Sequence, residues 1–404
     1  MMPLDRAVRT HGARVVAALA ARFRDLDLAE DGFAEACARA VGAWAQGEPD
    51  NPAGWLFRVA ERAALDILRR RAVRDGAALP PLEPEPTAEE LMAARPDIPD
   101  ERLRLIFVCC HPAIHPEARA ALTLRLVCGL SAQEIARAFL IAEPALLQRL
   151  TRAKRKIAAA GVPFEIPGPD HWAERLDAVL STIEVAYAHA HADGAATGLH
   201  AGYAAEMRVV TATLATMLPK EAEVHALAAM VRFAEARRPA RVDDMGAMVP
   251  LSEQDPALWD TALIADAQRY LRTALGRPLT ARTLQALIHA EWCLRTSLDD
   301  PAPWPAILIL YDALLAHRDD PLTRLNRAVA LAEMRGPAAA LEDVDALSHS
   351  GLATYLPYHA VRADLLTRLG LYDAACEAYD AALALGPGDA ERNWLAAKLA
   401  EVGR

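Results

Sequence analysis

Apolar residues recur at three- and four-residue spacing along almost the whole chain, with little of the strict alternation expected of strands, so the pattern predicts an all-α protein. Residues 4–23 read as a first helix. Residues 29–45 read as a second, with Phe33, Ala36, Cys37, Ala40, Val41 and Trp44 at helical spacing. A turn over residues 47–52 precedes a third helix marked by Trp55, Leu56, Val59, Ala63, Ile67 and Leu68. Its outer side carries Arg58 and Arg62 and its end carries Arg69, Arg70 and Arg71, so one element combines a packing face with a basic surface. From 75 to 99 the periodicity stops. Six prolines interrupt any regular element, and Glu83, Glu85, Glu89 and Glu90 make the segment acidic, which predicts a linker with at most one helical turn over 89–94. Helical spacing resumes over 101–110.

The stretch 119–160 is the most informative. Leu122, Leu126 and Val127 form one helical face, and Gly129 breaks it. Ser131 opens the sequence SAQE, with Glu134 three residues on, just before Ile135, Ala136 and Phe139: the signature of a capping box at a helix start. After Ile141, Glu143 and Pro144 mark the next start, because proline at a first turn gives up no hydrogen bond. Leu150 and either Leu146 or Leu147 would face inward. Gln148, Arg149, Arg152, Lys154, Arg155 and Lys156 would leave a cationic, hydrogen-bonding surface. Two short helices around a punctuated turn, the second polar and basic, are the pattern of a helix-turn-helix whose second helix enters a major groove and whose basic tail holds phosphates. The competing reading is a solvated basic helix in an ordinary helical protein.

Beyond Pro163 helices are predicted over 171–190, 202–218, 221–237, 256–274, 280–295, 304–317, 321–335 and 354–369. Residues 360–379 resemble a tetratricopeptide unit: small alanines allow close helix contact, Gly370 permits a hairpin turn, and Tyr379 fills the groove. A weaker echo runs from Trp304 to Val329. A nonrepetitive helical bundle is the alternative.

The 404 residues suffice for two or three domains, and 53% apolar content excludes a wholly disordered chain. The net charge of −10 is unevenly spread. Residues 1–160 hold 23 basic and 21 acidic residues and the remainder 21 and 33, so any nucleic-acid surface is expected in the first part. Six scattered cysteines read as reduced thiols, the N-terminal residues lack an apolar signal core, and no apolar run approaches a membrane span, which together predict a cytoplasmic protein without membrane contact. Cys109, Cys110, His111 and His115 invite a zinc reading, but adjacent cysteines lack the usual two-residue gap and Pro112 and Pro116 interrupt the turn, so a packed thiol pair is favoured. His189, His191 and Asp193 are equally weak as a metal or catalytic set. No phosphate-cradling glycine loop or Ser-His-Asp arrangement is evident, so neither an enzyme nor a cofactor is expected.

Taken together, these modules resemble a bacterial RNA polymerase sigma factor of the extracytoplasmic function type, in the group with a C-terminal tetratricopeptide-like extension. DLAEDGFAEACARAV at 27–41 looks like the polymerase-binding helix of region 2, and NPAGWLFRVAERAALDILRRR at 51–71 resembles the promoter-opening helix. Residues 100–139 and 146–157 are similar to region 4, which reads the upstream promoter element. The resemblance implies a region 2 domain over 1–74, a linker over 75–99, a region 4 domain over 100–160 and a helical tetratricopeptide-like domain over 161–404. It implies core RNA polymerase and promoter DNA as partners, with a regulatory protein on the C-terminal domain. Polymerase contacts are expected from Asp31, Glu35 and Arg39, and promoter opening from Trp55, Arg58, Arg62, Arg69, Arg70 and Arg71. Upstream recognition is expected from Ser131, Gln133, Gln148 and Arg149, with Arg152, Lys154, Arg155 and Lys156 on phosphates.

Four positions depart from the family pattern. The promoter-opening helix commonly shows Arg-Asn where this chain has Glu61-Arg62, so the usual phosphate contact does not transfer to Glu61. The common Gln before Glu in the polymerase-binding helix is Ala34, and a frequently basic position of the recognition helix is Leu147. The expected function is promoter selection and opening during initiation. The alternatives are a DNA-binding regulator that is not a polymerase subunit, or a helical-repeat scaffold.

Overall fold

The computed structural model describes residues 3–75, 101–127, 129–139, 141–165, 176–184, 187, 199–275 and 279–403. The expected linker beyond Asp75, Cys128, His189, His191, Asp193 and much of the helix anticipated over 171–190 lie outside the described residues. The fold is all-α. Among the described residues the only strand-like pairing is an isolated antiparallel bridge between Val242 and Met248. The chain divides into two compact units, one of residues 1–190 with 198–210, the other of 191–197 with 211–404.

The first unit begins with α1 (Pro3–Phe23), α2 (Leu26–Ala43) and α3 (Pro52–Asp75). Asp25 sits in extended conformation at the N-cap of α2, where its carboxylate accepts a 3.0 Å hydrogen bond from the Leu28 N–H. Asn51 does the same for α3, accepting from the Gly54 N–H at 2.9 Å, and Pro52 occupies the first turn. Alanines on both helices allow a close crossing, and at Gly32 the approach is closest. A Cβ there would lie 2.7 Å from the Ala60 carbonyl oxygen and 3.3 Å from the Ala64 Cβ. Trp44, just past α2, packs edge-on against Trp55 of α3 with ring centroids 5.4 Å apart, closing the base of this bundle.

Four further helices follow: α4 (Arg102–Cys109), α5 (Pro116–Leu126), α6 (Ala132–Ala138) and α7 (Glu143–Ala159). α4 and α5 pack against α1, and α5, α6 and α7 pack on one another. Gly129, at φ +70°, makes the turn between α5 and α6, a conformation costly for a residue with a Cβ. Ser131 precedes α6 as expected; the side chain of Glu134 is not among those described. The choice left open at the start of α7 is resolved. Leu146 is fully buried with Leu150, Ala153 and Ile157, whereas Leu147 is 47% exposed.

The chain enters the second unit within α8 (Leu199–Met217) and continues through α9 (Ala222–Ala236), α10 (Thr261–Ala274), α11 (Ala281–Trp292), α12 (Trp304–His317), α13 (Pro321–Arg335), α14 (Pro337–Asp345), α15 (Leu356–Arg368), α16 (Tyr372–Ala384) and α17 (Asp389–Val402). α10 and α11 both pack on α9, and from α11 onward each helix packs chiefly on its neighbours in sequence, so the core is a succession of local clusters. α15 and α16 meet as expected, with Gly370 at φ +72° in the turn and Tyr379, Ala375, Ala378 and Ala382 buried against Ala363 and Leu366. α14 and α17 were not anticipated. α11 stops at Trp292, short of the predicted 295, because the following turn is held otherwise: Asp300 accepts from the Thr296 and Ser297 backbone, and Arg295 donates to the Asp300 and Ser252 carbonyls.

Buried cations fix the α9–α11 region. The Arg232 guanidinium donates to Asp266 at 2.6 Å, to Thr211 at 3.2 Å and to the Ala228 carbonyl at 3.0 Å, and lies 4.3 Å over the Tyr270 ring. Arg237 reaches His289 Nδ1 at 2.7 Å and its carbonyl at 3.1 Å, and Arg282 pairs with Glu223.

Two stability tests follow from these contacts. Gly32→Ala forces α2 and α3 apart and is expected to cost about 1–3 kcal/mol, read from a chemical-denaturation midpoint. Asp320 caps α13 by accepting from the Leu322 and Thr323 N–H groups at 3.1 and 3.0 Å. Burial opposes its ionisation, but these bonds, the Thr323 hydroxyl and Arg318 hold its carboxyl below the usual range. A depressed folded pKa stabilises above the unfolded value of about 3.9 and is lost as pH falls through the folded value. Asp320→Ala is therefore expected to cost about 1 kcal/mol at pH 7, and the difference from the parent chain is expected to vanish in strong acid.

Candidate nucleic-acid interface

Two surfaces of the first unit carry the residues singled out by sequence. On α2, Asp27, Asp31, Glu35 and Arg39 follow one another at four-residue spacing and form one exposed stripe. Glu35 and Arg39 pair within it at 3.0 Å, and Arg71 from the end of α3 reaches Asp25 at 3.3 Å and Asp31 at 3.9 Å. The expected polymerase-contacting residues are thus exposed and already set in a charge network joining α2 to α3.

α3 sorts its own set. Arg58 and Arg70 are exposed, Arg62 and Arg69 half-buried, and Arg69 pairs with Asp66 at 3.1 Å. Trp55 is only 4% exposed, so its ring supports the bundle through Trp44 and is not on the surface with the arginines. Glu61 lies 2.7 Å from Arg22 of α1. That pair offsets the carboxylate, so the basic character of α3 survives its presence.

The helix-turn-helix divides its polar residues in two. Gln148, Arg152, Arg155 and Lys156 are exposed on α7, with Leu147 and Thr151 on the same face. Ser131 and Gln133 are exposed at the start of α6. Arg149 and Lys154 instead turn to carboxylates of other helices. Arg149 pairs with Glu117 of α5 at 3.0 Å, beside a cleft also lined by Asp177 and Ser181 of the helical segment 176–184. Lys154, its side chain 16% exposed, is bound by Asp27 and by Glu30 of α2, the latter at 2.9 Å. Arg125 of α5 donates to the other Glu30 oxygen at 3.1 Å and to the Leu130 carbonyl at 3.0 Å. Burial works against charge on the Lys154 amine, but the hydrogen bonds to Asp27 and Glu30 outweigh it and its pKa lies above the ordinary lysine value. The expected set of phosphate anchors is therefore exposed at Arg152, Arg155 and Lys156 and withdrawn at Lys154.

The roles of Glu30, Asp27 and Arg125 in this cluster escaped sequence reasoning. The partners lie more than 90 residues apart, and no local spacing connects them. Around the Cys-His stretch, Cys109 and Cys110 are buried thiols, Cys110 lying 4.0 Å from the Thr123 hydroxyl, and His111 Nδ1 accepts from the Ala113 N–H at 3.2 Å, a use that already closes the turn. Among the described residues no group of three or more His, Cys, Asp or Glu side chains is placed to hold a metal ion, and no helix is long and apolar enough to cross a membrane.

Three stretches of the chain match known families. Residues 7–74 match sigma-70 region 2 and residues 104–157 match sigma-70 region 4. Residues 175–275 match a family of unknown function, DUF6596. The chain is 37% identical, over 98% of its length and 95% of the relative's, to an uncharacterized protein of Rhizobium meliloti (strain 1021). No solved structure matches it. With its region 2 and region 4 domains, the chain belongs to the sigma-70 family of sigma factors. Those domains imply interaction with RNA polymerase and DNA, support a role in transcription initiation at the level of the family, and make the protein a non-enzymatic one.

Proposed function

We propose that the chain is a dissociable initiation factor of the extracytoplasmic function type, which directs core RNA polymerase to particular promoters and assists their opening. The observation that carries this reading is the pairing, in one unit, of an exposed α2 stripe with a helix-turn-helix whose second helix presents Gln148, Arg152, Arg155 and Lys156 outward. The α2 stripe of Asp31, Glu35 and Arg39 is assigned to core polymerase. The α3 arginines 58, 62, 69, 70 and 71 are assigned to the promoter around its point of opening, with Trp55 supporting them from the core. α7 is assigned to the upstream major groove, where Gln148 and Leu147 offer an amide and an apolar contact to base edges and the exposed cations offer phosphate contacts. Arg149 belongs to this reading set once it leaves Glu117.

The domain limits 1–74, 75–99, 100–160 and 161–404 belong to the same proposal, as does a cytoplasmic setting. The succession of neighbouring helix contacts from α11 to α17, with the Gly370 turn and the buried Tyr379, supports a tetratricopeptide-like C-terminal domain that receives a regulatory protein.

Transcription reconstituted from core polymerase and the purified chain tests the proposal. Promoter-specific transcripts are expected from templates chosen by sequencing RNA after controlled expression, and failure to stimulate initiation from any of them would sink it in favour of a regulator that is not a polymerase subunit. Arg152→Ala is expected to weaken holoenzyme binding evenly across promoter sequences and to lower the salt slope, d log K/d log[salt], by about 0.9 for each phosphate that is no longer neutralised. Gln148→Ala is expected to alter preference at one base pair by about 1–3 kcal/mol instead, read from binding to a panel of singly substituted promoters.

A further inference from the structure

The long connection between α9 and α10 forms a strap. Its base is closed: the Asp260 N–H donates to the Ala236 carbonyl at 2.9 Å, and Gln254, Pro256 and Trp259 are buried. Between those fixed ends, residues 241–253 are half-buried or exposed. Residues 241–249 fold into a narrow turn, in which the Val249 N–H donates to the Arg241 carbonyl at 2.8 Å and the Asp243 carboxylate accepts from the Met245 and Ala247 N–H groups. That turn meets a distant part of the chain. The Met248 N–H donates to the Ala390 carbonyl of α17 at 2.9 Å, and the Asn393 amide of α17 donates to the Gly246 carbonyl at 3.1 Å. Leu251 then packs on the core shared by α11 to α15, and the Ser252 carbonyl accepts from Arg295, just past α11, at 3.0 Å. The four residues from Met248 to Ser252 span at most about 14 Å when extended. Ala390 and Arg295 are thereby held near one another although five helices lie between them in sequence. Helices that pack on their sequence neighbours can bring such distant members together only if the array curves, and a short chord across the curve lies on its inner side.

We propose that the strap is a resident ligand of this inner surface, and that the regulatory protein binds there by laying an extended segment of the same chemistry in its place. The surface offers groups that read a backbone, namely the Ala390 carbonyl, the Asn393 amide and the Arg295 guanidinium, together with an apolar seat for the Leu251 side chain. An incoming segment therefore needs an N–H for Ala390, a carbonyl two residues earlier for Asn393, and a carbonyl four residues later for Arg295, with a leucine-like side chain just before the last. A helix spends its N–H and carbonyl groups internally and cannot supply that set. An extended segment can, with main-chain bonds giving affinity and the apolar seat giving selectivity. Two features suit the strap to exchange. Its bonds to α17 and Arg295 come from backbone groups of a surface segment, and Met245 at its tip is 86% exposed, so the middle can lift while the buried Gln254, Pro256 and Trp259 keep the base in place. Arg295 also donates to the Asp300 carbonyl at 3.2 Å, which holds its guanidinium in position when Ser252 leaves. The inference rests on the reading that the C-terminal domain receives a regulatory protein; the strap's hold on the inner surface does not.

A fluorescein-labelled peptide of residues 241–254, added to the full chain and followed by anisotropy, tests it. The parent chain, its surface filled, is expected to bind the peptide weakly. The chain carrying Met248→Pro and Leu251→Asp loses the N–H given to Ala390 and the seated side chain from its strap, but keeps the surface itself. It is expected to bind the peptide about tenfold more tightly or better, since apparent affinity scales with the open fraction. Equal binding by the two chains overturns the strap's occupancy of the surface, and so does equal binding of a scrambled peptide. Should the double variant not fold, Leu251→Ser, which changes one partly buried side chain, is expected to gain about threefold, and no gain overturns the occupancy. The peptide at saturation is also expected to change transcript yield from the doubly substituted chain with core polymerase by about twofold or more, with no change from the scrambled peptide. Transcription insensitive to the bound peptide overturns the regulatory role of the surface. A parent chain that supports no transcription overturns the proposed function and that role with it, while peptide binding still decides the strap.

Discussion

A cation taken out of water is stable only among carboxylates, carbonyls or aromatic faces, and this constraint governs how helices meet in both units. In the second unit Arg232 is buried beside Asp266, Thr211 and the Tyr270 ring, and those partners come from α8 and α10 as well as from the turn below on its own helix. α8, α9 and α10 are thereby held in one arrangement by a single guanidinium, whose planar fork supplies several fixed directions. In the first unit Lys154 plays a comparable part with one ammonium group between two carboxylates of α2. The difference lies in depth. Arg232 has a 5% exposed side chain and an aromatic lid, so removing a partner strands a charge; Lys154 lies nearer the surface, where water can replace a lost carboxylate.

The same constraint decides which residues of the basic helix are available. A sequence rich in Arg and Lys states only how many cations a helix carries. α7 carries Gln148, Arg149, Arg152, Lys154, Arg155 and Lys156, and the fold directs them by helical phase toward solvent, toward α5 or toward α2. Arg149 and Arg152 are one turn apart, yet one meets Glu117 and the other faces solvent. Charge counting overestimates the DNA-facing potential of such a module, because part of the charge is neutralised internally.

Much of the fold was legible because several helices of the first unit carry their own punctuation. Asp25, Asn51 with Pro52, and Pro144 mark starts by satisfying or removing orphan N–H groups, and those starts stand within a few residues of the expected ones. α12 and α13 coincide with the predicted 304–317 and 321–335 because Pro305 lies in the first turn of one and Asp320 with Pro321 opens the other. α14 escaped notice because it is short and rich in alanine, with few large apolar residues to set a period. The site was legible in outline and not in pairing. Exposure of Gln148, Arg152 and Arg155 follows from helical phase once Leu146 is known to be buried, but the choice between Leu146 and Leu147 needed the packed module. Burial of Trp55 needed Trp44, which lies across a turn and a helix boundary.

Glu61 illustrates how a position should be read with its spatial neighbours. Placed on a helix otherwise furnished with arginines, its carboxylate would lower the positive potential that draws a phosphate backbone. Arg22, contributed by α1, stands 2.7 Å away with its side chain half exposed, while Glu61 is largely covered. The pair is close to neutral as a unit, and the guanidinium is its more solvent-accessible member. Seen from outside, the local surface therefore presents a cation where the sequence of α3 alone suggests an anion. At distances beyond the roughly 8–10 Å screening length of physiological salt the pair contributes little, so the approach of a polyanion is governed by Arg58, Arg62 and Arg70. The positive character of this face is consequently a property of α1 and α3 together, and a substitution at Arg22 would change it although Arg22 lies outside the helix to which the function is assigned.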